Sequence, residues 1–307
     1  MVEETFDCLI IGGGPAGLAA ALYLARFRRR LLLIDNGAAR AASIPTSHNV
    51  PFFASGIGGP ELLARERENA LRYNAEIVSG TVIGLRKRRE GFLADTMSDS
   101  GEASAVRAAC VLLATGASDI EPNLPNLPNA VQRGLVRYCP ICDGYEVTNK
   151  KVAVIGYGER GLGEAVFIAR SYTPDVTLLT LGEPMGLDPE EEAQVAAHNI
   201  EVVGEPIVAL DCSADEVRLR AENGAEHRFD VLYSALGIRV RSELAVSLGA
   251  EHDEEGAIIV DEHSATSVDG LYAAGDVTAG LRQIVVGVAQ AARAAVHIHN
   301  RLGKGDA

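Results

Sequence analysis

The chain has 307 residues, 47% of them hydrophobic and 23% charged, the balance of a globular protein of about two domains. A formal charge of −14 excludes nucleic acid as a partner, because a phosphate binder needs a basic surface to displace counterions. Five scattered cysteines, an acidic start that leads into a strand rather than a signal peptide, and no apolar run near the roughly 20 residues of a membrane span predict a reducing, cytoplasmic protein without membrane attachment.

The first element, "DCLIIGGGPAGLAAALYLA" (Asp7–Ala25), is an aliphatic run, a glycine turn and apolar residues at helical spacing. Gly12-Gly13-Gly14-Pro15-Ala16-Gly17 spells G-x-G-x-x-G, and the next strand, "LLLID", closes at Asp35. Between a strand and a helix, with an acid about 20 residues on, this pattern binds a dinucleotide. Gly12 permits the tight turn, Gly14 lets backbone reach the pyrophosphate, and Gly17 lets helix and strand pack closely. Asp35 is placed to accept hydrogen bonds from ribose hydroxyls. Arg28-Arg29-Arg30 and Arg86-Lys87-Arg88-Arg89 read as a helix end and a turn in solvent. Beyond "AEIVSGTVIGL" (Ala75–Leu85) comes a small hairpin and the strand "CVLLATGA", closing at Ala117. "EPNLPNLPN" (Glu121–Asn129) reads as a connector out of the first domain.

"RYCPICDGYE" (Arg137–Glu146) sets Cys139 and Cys142 in a C-x-x-C followed at once by Asp143. A zinc site needs a second close pair of ligands, and the other cysteines are isolated. Cys8 and Cys110 sit in apolar strands as small buried thiols, and Cys212 sits in a polar turn, exposed. A redox pair fits better. At the head of a helix the first sulfur faces unsatisfied N–H groups, which lower its thiolate pKa. Pro140 suits the first helical turn, and Asp143 can pass a proton to a departing thiolate.

The first plan then recurs. "KVAVIGYGERGLGEAVFIA" (Lys151–Ala169) leads to "VTLLTL", and Gly156-Tyr157-Gly158-Glu159-Arg160-Gly161 again reads G-x-G-x-x-G, a possible nicotinamide nucleotide site at Gly156, Gly158 and Gly161. "IEVVGEPIVAL" (Ile200–Leu210) precedes a hairpin turning at Asn223-Gly224, and "VLYSALGI" closes at Ile238. The repeat predicts an α/β fold with two Rossmann-like dinucleotide-binding domains of three-layer ββα type, the second inserted into the first. The first comprises residues 1–117 and 248–307, and the second, 118–247, carries the redox cysteines.

Together "GGGPAG", "CPICDG", "ATGA" (Ala114–Ala117) and "TSVDGLYAAGDV" (Thr266–Val277) resemble the FAD-dependent pyridine-nucleotide disulfide oxidoreductases, and most closely the low-molecular-weight thioredoxin reductase group. The resemblance runs from Phe6 to about Arg301 with the motifs in order. It implies FAD as cofactor, a thioredoxin-like protein or small disulfide as substrate, and a homodimer. It places Gly275 and Asp276 at the start of the last helix, with Asp276 on the ribityl chain. Arg282 and Gln283 stand beside the flavin ring, with Asn49 near it. Val82 reads the adenine through its backbone, and Thr115-Gly116 lines the pyrophosphate. Cys142 takes electrons from the flavin, Cys139 attacks the substrate disulfide, and Asp143 is the general acid. The Gly-Gly-Gln segment of the family has no counterpart in "NGAARAASIP".

The electron donor departs from the family pattern. Where NADPH-using members resembling this chain carry His-Arg-Arg, it has Thr180-Leu181-Gly182. Three readings stay open: a reductase with altered nicotinamide preference such as NADH, a ferredoxin-linked reductase, and a dithiol oxidase passing electrons from a small dithiol to oxygen. Oxidases of that kind resemble the "C-P-x-C-x-G-Y-E" frame but tend to carry His after the second cysteine, so Asp143 favours the reductase. A binding module using the glycine loops only as scaffold is a fourth possibility, which the intact C-x-x-C-D disfavours. His297 and His299, two apart on the last helix, read as surface or dimer-contact residues.

Overall fold

The structure, a computed structural model, describes residues 5–124, 127–212 and 215–303. Part of the acidic start and Pro125-Asn126 of the connector lie outside the described residues. The chain divides into two compact units. One comprises Met1–Ala42, Gly58–Ser118 and Arg239–Ala307, and the other Ser43–Ile57 and Asp119–Ile238.

In the first unit the elements run β1 (Phe6–Ile11), α1 (Pro15–Arg26), β2 (Leu31–Asp35), α2 (Gly59–Leu71), β3 (Glu76–Ser79), β4 (Thr81–Lys87), β5 (Phe92–Met97) and β6 (Ala103–Leu113). Strands β3-β2-β1-β6 lie side by side in parallel, with the later β17 (Leu271–Ala273) beside β6. Parallel strands are covered on both faces, and β1 and β2 accordingly are almost unbroken aliphatic runs. Their chain order reverses between β1 and β6, which puts the glycine loop after β1 at the switch point where α/β sheets take ligands. The N-terminal part of β6 continues antiparallel to β5, and β5 to β4. Gly80 splits "AEIVSGTVIGL" into β3 and β4, since its φ of +153° brings it against Met97, where a Cβ would lie 2.8 Å from the carbonyl oxygen. Helix α1 packs on the last helix, here the eighth, Ile284–Gly303, and their shared face buries Leu18, Leu24, Ala291, Ala294 and Ile298.

The second unit repeats the arrangement. β7 (Ala117–Asp119) leads to α3 (Leu127–Gln132), β8 (Val136–Arg137), α4 (Pro140–Asp143), β9 (Val152–Ile155), α5 (Gly158–Ser171) and β10 (Val176–Leu179). Then come α6 (Pro189–Ala197), β11 (Glu201–Val203), β12 (Ile207–Asp211), β13 (Val217–Ala221), β14 (Glu226–Phe229) and β15 (Val231–Ser234). Strands β11-β10-β9-β15-β8 form a parallel sheet that reverses between β9 and β15, and β12-β13-β14 form an antiparallel one. The β13–β14 turn is made at Asn223-Gly224, with Gly224 at φ +86° and the Asn223 side chain accepting from the Ala225 N–H at 2.8 Å. The chain leaves through β16 (Ile238–Val240), which pairs with β7, and α7 (Glu243–Val246) precedes β17 and the last helix, α8 (Ile284–Gly303).

Several details differ from the sequence reading. The return to the first unit comes at Arg239 rather than 248, because the Arg241 N–H and carbonyl bond to Gly116 and Thr115. Ser43–Ile57 groups with the second unit, where His48 Nδ1 lies 2.9 Å from Glu146 Oε1. The connector is partly helical, as α3. Cys212 is buried, not exposed, packed in the core of the second unit beside Leu210 and Val217. Arg29 is not solvated: it donates to Nδ1 and the carbonyl of His299, whose ring stacks on Phe27. Arg86 pairs with Asp95, and Lys87 lies over the Phe92 ring. No helix among the described residues is long and apolar enough to cross a membrane.

Glu66 on α2 has a buried Oε2 with no hydrogen-bond partner among the described residues. Burial pushes its carboxyl up to about 7, since a buried carboxylate is disfavoured. With the folded value raised, its protonated form stabilises the fold at low pH, and that contribution is lost as pH rises through about 7. Glu66→Gln should therefore melt at a higher temperature than the parent at pH 8, with the advantage shrinking towards pH 5, as read by differential scanning fluorimetry.

Candidate active site

The first glycine loop forms an open cradle. Gly12 has φ +107°, and a Cβ there would collide with the Ala114 carbonyl. A Cβ on Gly17 would overlap the Gly12 carbonyl oxygen, so α1 can sit this close to β1 only with glycine. Gly14 is the N-cap of α1, no side chain caps the helix, and its first turn holds no acid. Pro15 occupies the first helical position, where no N–H is needed, and the first N–H groups, including those of Ala16 and Gly17, have no intrahelical acceptor. Such an uncapped N-terminus is a site for phosphate oxygens. Asp35 Oδ1 accepts from the N–H groups of Gly13 and Gly37, both at 3.1 Å. Gly116, at φ +68°, has open space around it. This donor set and the absence of obstruction fit a bound dinucleotide pyrophosphate.

The other positions expected around that ligand distribute as follows. Val82 is buried on β4, and Thr115 lies two residues beyond the end of β6. Gly275 and Asp276 are not at the start of the last helix as expected: they lie in a turn after β17, and α8 begins only at Ile284. Tertiary bonds hold that turn. The Gly275 N–H donates to Gln290 Oε1 at 2.8 Å, and the Thr278 N–H to the Gly275 carbonyl at 2.9 Å. Asp276 Oδ2 lies 3.1 Å from Arg40 Nη1. Arg40 stands in the segment where the family glycines are missing, and sequence reasoning passed over it. Arg282 reaches Glu255 at 3.5 Å, while its Nε is buried without a partner among the described residues. Gln283 accepts the Gly287 N–H at 3.0 Å as α8 begins. Asn49 belongs to the second unit, where its Oδ1 accepts from the Ser47 hydroxyl at 2.8 Å.

Cys139 and Cys142 are joined as a disulfide with Cα atoms 5.2 Å apart. Cys139 is the N-cap of the single-turn helix α4 and Pro140 its first residue. Gly144 follows it, at a point where any Cβ would overlap the Tyr172 ring. Asp143 is held from both sides: the Tyr233 hydroxyl donates to Oδ1 at 2.7 Å, and Arg137 Nη1 lies 3.2 Å from Oδ2. Arg137 is itself fixed by the carbonyls of Gly134 and Asp143, both at 3.1 Å. Burial pushes the Asp143 carboxyl above the ordinary range, with Arg137 and the Tyr233 hydrogen bond acting the other way. Neither Tyr233 nor Arg137 was singled out in the sequence. By contrast Cys8 and Cys110 face each other across β1 and β6, buried and unpaired, and burial pushes the Cys110 thiol up to about 11. They are packing residues.

The second glycine loop shares the strand-end bond of the first. The Gly156 N–H donates to Leu179 as the Gly12 N–H does to Ile34, at 3.0 and 2.9 Å. Gly161 packs on Gly156, where a Cβ would lie 2.9 Å from its Cα, and Gly158, at φ +59°, is open. This register sets Thr180 where the first unit has Asp35. Thr180 is buried, and its hydroxyl has no partner among the described residues. The chain then turns tightly through Leu181 (φ +59°) and Gly182 (φ +87°), closed by the Glu183 N–H to Thr180 carbonyl bond at 3.1 Å. No Arg, Lys or His stands on that turn.

A family model described as pyridine nucleotide-disulphide oxidoreductase matches residues 6–291. The thioredoxin reductase of Treponema pallidum (strain Nichols) is 30% identical over 305 residues, 96% of each chain. That of Mycolicibacterium smegmatis is 32% identical over 284 residues, 89% of each. The crystal structure of thioredoxin reductase from Streptococcus pyogenes MGAS5005 superposes with a TM-score of 0.87 at 26% identity, covering 98% of this chain and 99% of that one. With an FAD-type cradle in one unit and a C-x-x-C disulfide in the other, the molecule is a thioredoxin reductase-like FAD oxidoreductase. The chain belongs to the pyridine nucleotide-disulphide oxidoreductase family.

Proposed function

We propose that this enzyme reduces the disulfide of a thioredoxin-like protein through Cys139 and Cys142, drawing electrons from NADH in preference to NADPH. The observation that carries the reading is the Cys139–Cys142 disulfide at the head of α4 with the half-buried Asp143 carboxyl on the same turn. In the reduced pair, the Cys139 thiolate attacks one sulfur of the substrate disulfide, and the departing sulfur takes a proton from Asp143. Cys142 then attacks Cys139, re-forming the intramolecular disulfide and releasing the second substrate thiol. Two electrons thus pass from the pair to the substrate, with one proton from Asp143 and one from the Cys142 thiol.

FAD, when bound, supplies the two electrons that reopen the Cys139–Cys142 disulfide. In this reading Gly12, Gly14, Ala16, Gly17 and Gly116 hold its pyrophosphate by backbone contact, with Pro15 setting the helix start. Asp35 takes the ribose and Val82 the adenine. Gly275, Asp276, Arg282 and Gln283 would serve the flavin end, and Cys142 would be the sulfur that takes the electrons; Asn49 is assigned to the flavin by the resemblance alone.

The donor preference rests on Thr180. A 2′-phosphate carries nearly two charges and needs cationic partners, and each missing charge-assisted hydrogen bond costs about 1.5–3 kcal/mol. Losing two weakens NADPH by roughly a hundredfold or more. An unphosphorylated ribose asks for no cation there, and the loop at Gly156, Gly158 and Gly161 retains the shape for a pyrophosphate. The same reading carries a cytoplasmic homodimer.

In an anaerobic titration of the yellow protein, NADH should bleach the flavin at concentrations roughly a hundredfold below those of NADPH. Bleaching by reduced ferredoxin with no response to either nucleotide would overturn the donor assignment. Cys139→Ser should keep the flavin spectrum and lose all reduction of oxidised thioredoxin. A variant that keeps turnover, or a parent that consumes oxygen with a small dithiol but leaves thioredoxin oxidised, would sink the reductase reading in favour of a binding module or an oxidase.

A further inference from the structure

Asp143 can serve as an acid only if its proton sits on a defined oxygen. Both oxygens are engaged, by partners of different kinds. Arg137 faces Oδ2 at 3.2 Å, and a guanidinium only donates. A proton on Oδ2 would point at that N–H. Tyr233 Oη lies 2.7 Å from Oδ1, and a phenol both donates and accepts. Tyr233 itself is fully buried on β15, and β8, which carries Arg137, pairs directly with β15. The two partners thus come from adjacent strands of the rigid sheet, while Asp143 rides on a single-turn helix.

We propose that Tyr233 and Arg137 are positioning residues that confine the transferable proton of Asp143 to Oδ1 and stabilise the carboxylate left after transfer. The proposal deepens the reading of Asp143 as general acid and rests on it. As the substrate S–S bond breaks, the Oδ1 proton passes to the departing sulfur. The electron pair left on Asp143 is met by the Tyr233 O–H at Oδ1 and by Arg137 at Oδ2, and water returns the proton before the next cycle.

Other charged groups face this site and are unchanged in the test. Glu146, next along the chain and paired with His48, opposes ionisation of Asp143. Glu164 on α5, whose carboxyl burial pushes up to about 7, lies in the field of Asp143, Asp119 and Arg160. Among these groups, only Tyr233 and Arg137 favour the ionised form of Asp143.

The test is the pH dependence of single-turnover disulfide cleavage, using protein reduced with stoichiometric dithionite and 2-hydroxyethyl disulfide as probe, because a departing alkyl thiolate takes up a proton. Asp143 acts protonated, so the rate falls as pH rises through its pKa. Removing either partner raises that pKa. Tyr233→Phe should move the alkaline limb upward by about one pH unit and lower the plateau roughly tenfold, the equivalent of one hydrogen bond to a charged group. Arg137→Met should move the limb the same way, and Arg137→Lys, which keeps the charge, should restore it. Thermal melts confirm that each variant is folded. An unmoved limb in a folded Tyr233→Phe overturns the proposal. Asp143→Asn separates it from the underlying reading. Loss of the limb in that variant, with a rate lower by about a hundredfold or more, upholds the acid. Retention of both limb and rate means that Asp143 is not the acid at all.

Discussion

Both nucleotide cradles depend on one close contact: the backbone of a glycine in the first helical turn pressed against the glycine that ends the preceding strand. Gly17 lies on Gly12 and Gly161 on Gly156 so closely that no methyl group fits. This contact pulls the uncapped N-terminus of α1 or α5 over the end of its sheet, at the point where the strand order reverses. Everything that would touch a pyrophosphate follows from it, since the donors are main-chain groups whose direction is fixed by the helix. Under the proposed function, the side chains at the strand ends would then decide which nucleotide fits.

The redox centre is organised by a different principle. Partial burial pushes the Asp143 carboxyl upward, while a cation and a phenol pull it towards the charged form. In the proposed cycle these opposing influences would let the group give up a proton and take it back. Tyr233 feels the same environment from the other side: burial and the neighbouring carboxylate push its phenol far above the ordinary range, so it remains a neutral hydrogen-bonding group.

Much of this was legible in the sequence because the relevant signals are local. The glycine loops, the C-x-x-C-D and the repeat of strand, helix and strand are spacings within a few tens of residues. The fold class is read from them directly, and the flavin chemistry from the family resemblance that they carry. What escaped was tertiary. Tyr233 meets Asp143 from 90 positions away and Arg40 meets Asp276 from 236, and nothing in the surrounding residues marks either partner. Cys212 looked exposed because its neighbours in the chain are polar, yet it packs with apolar residues from β12 and β13. Gly275-Asp276 looked like a helix start, but bonds to Gln290 hold the segment as a separate turn.

The matched register of the two loops has a further implication. Asp35 and Thr180 occupy equivalent strand ends, so the same register accepts either residue. Under the proposed function, substitution at the end of β10 would change which reducing currency the enzyme accepts while leaving the first loop and the Cys139–Cys142 pair untouched. Such an architecture would couple a fixed catalytic relay to an interchangeable inlet.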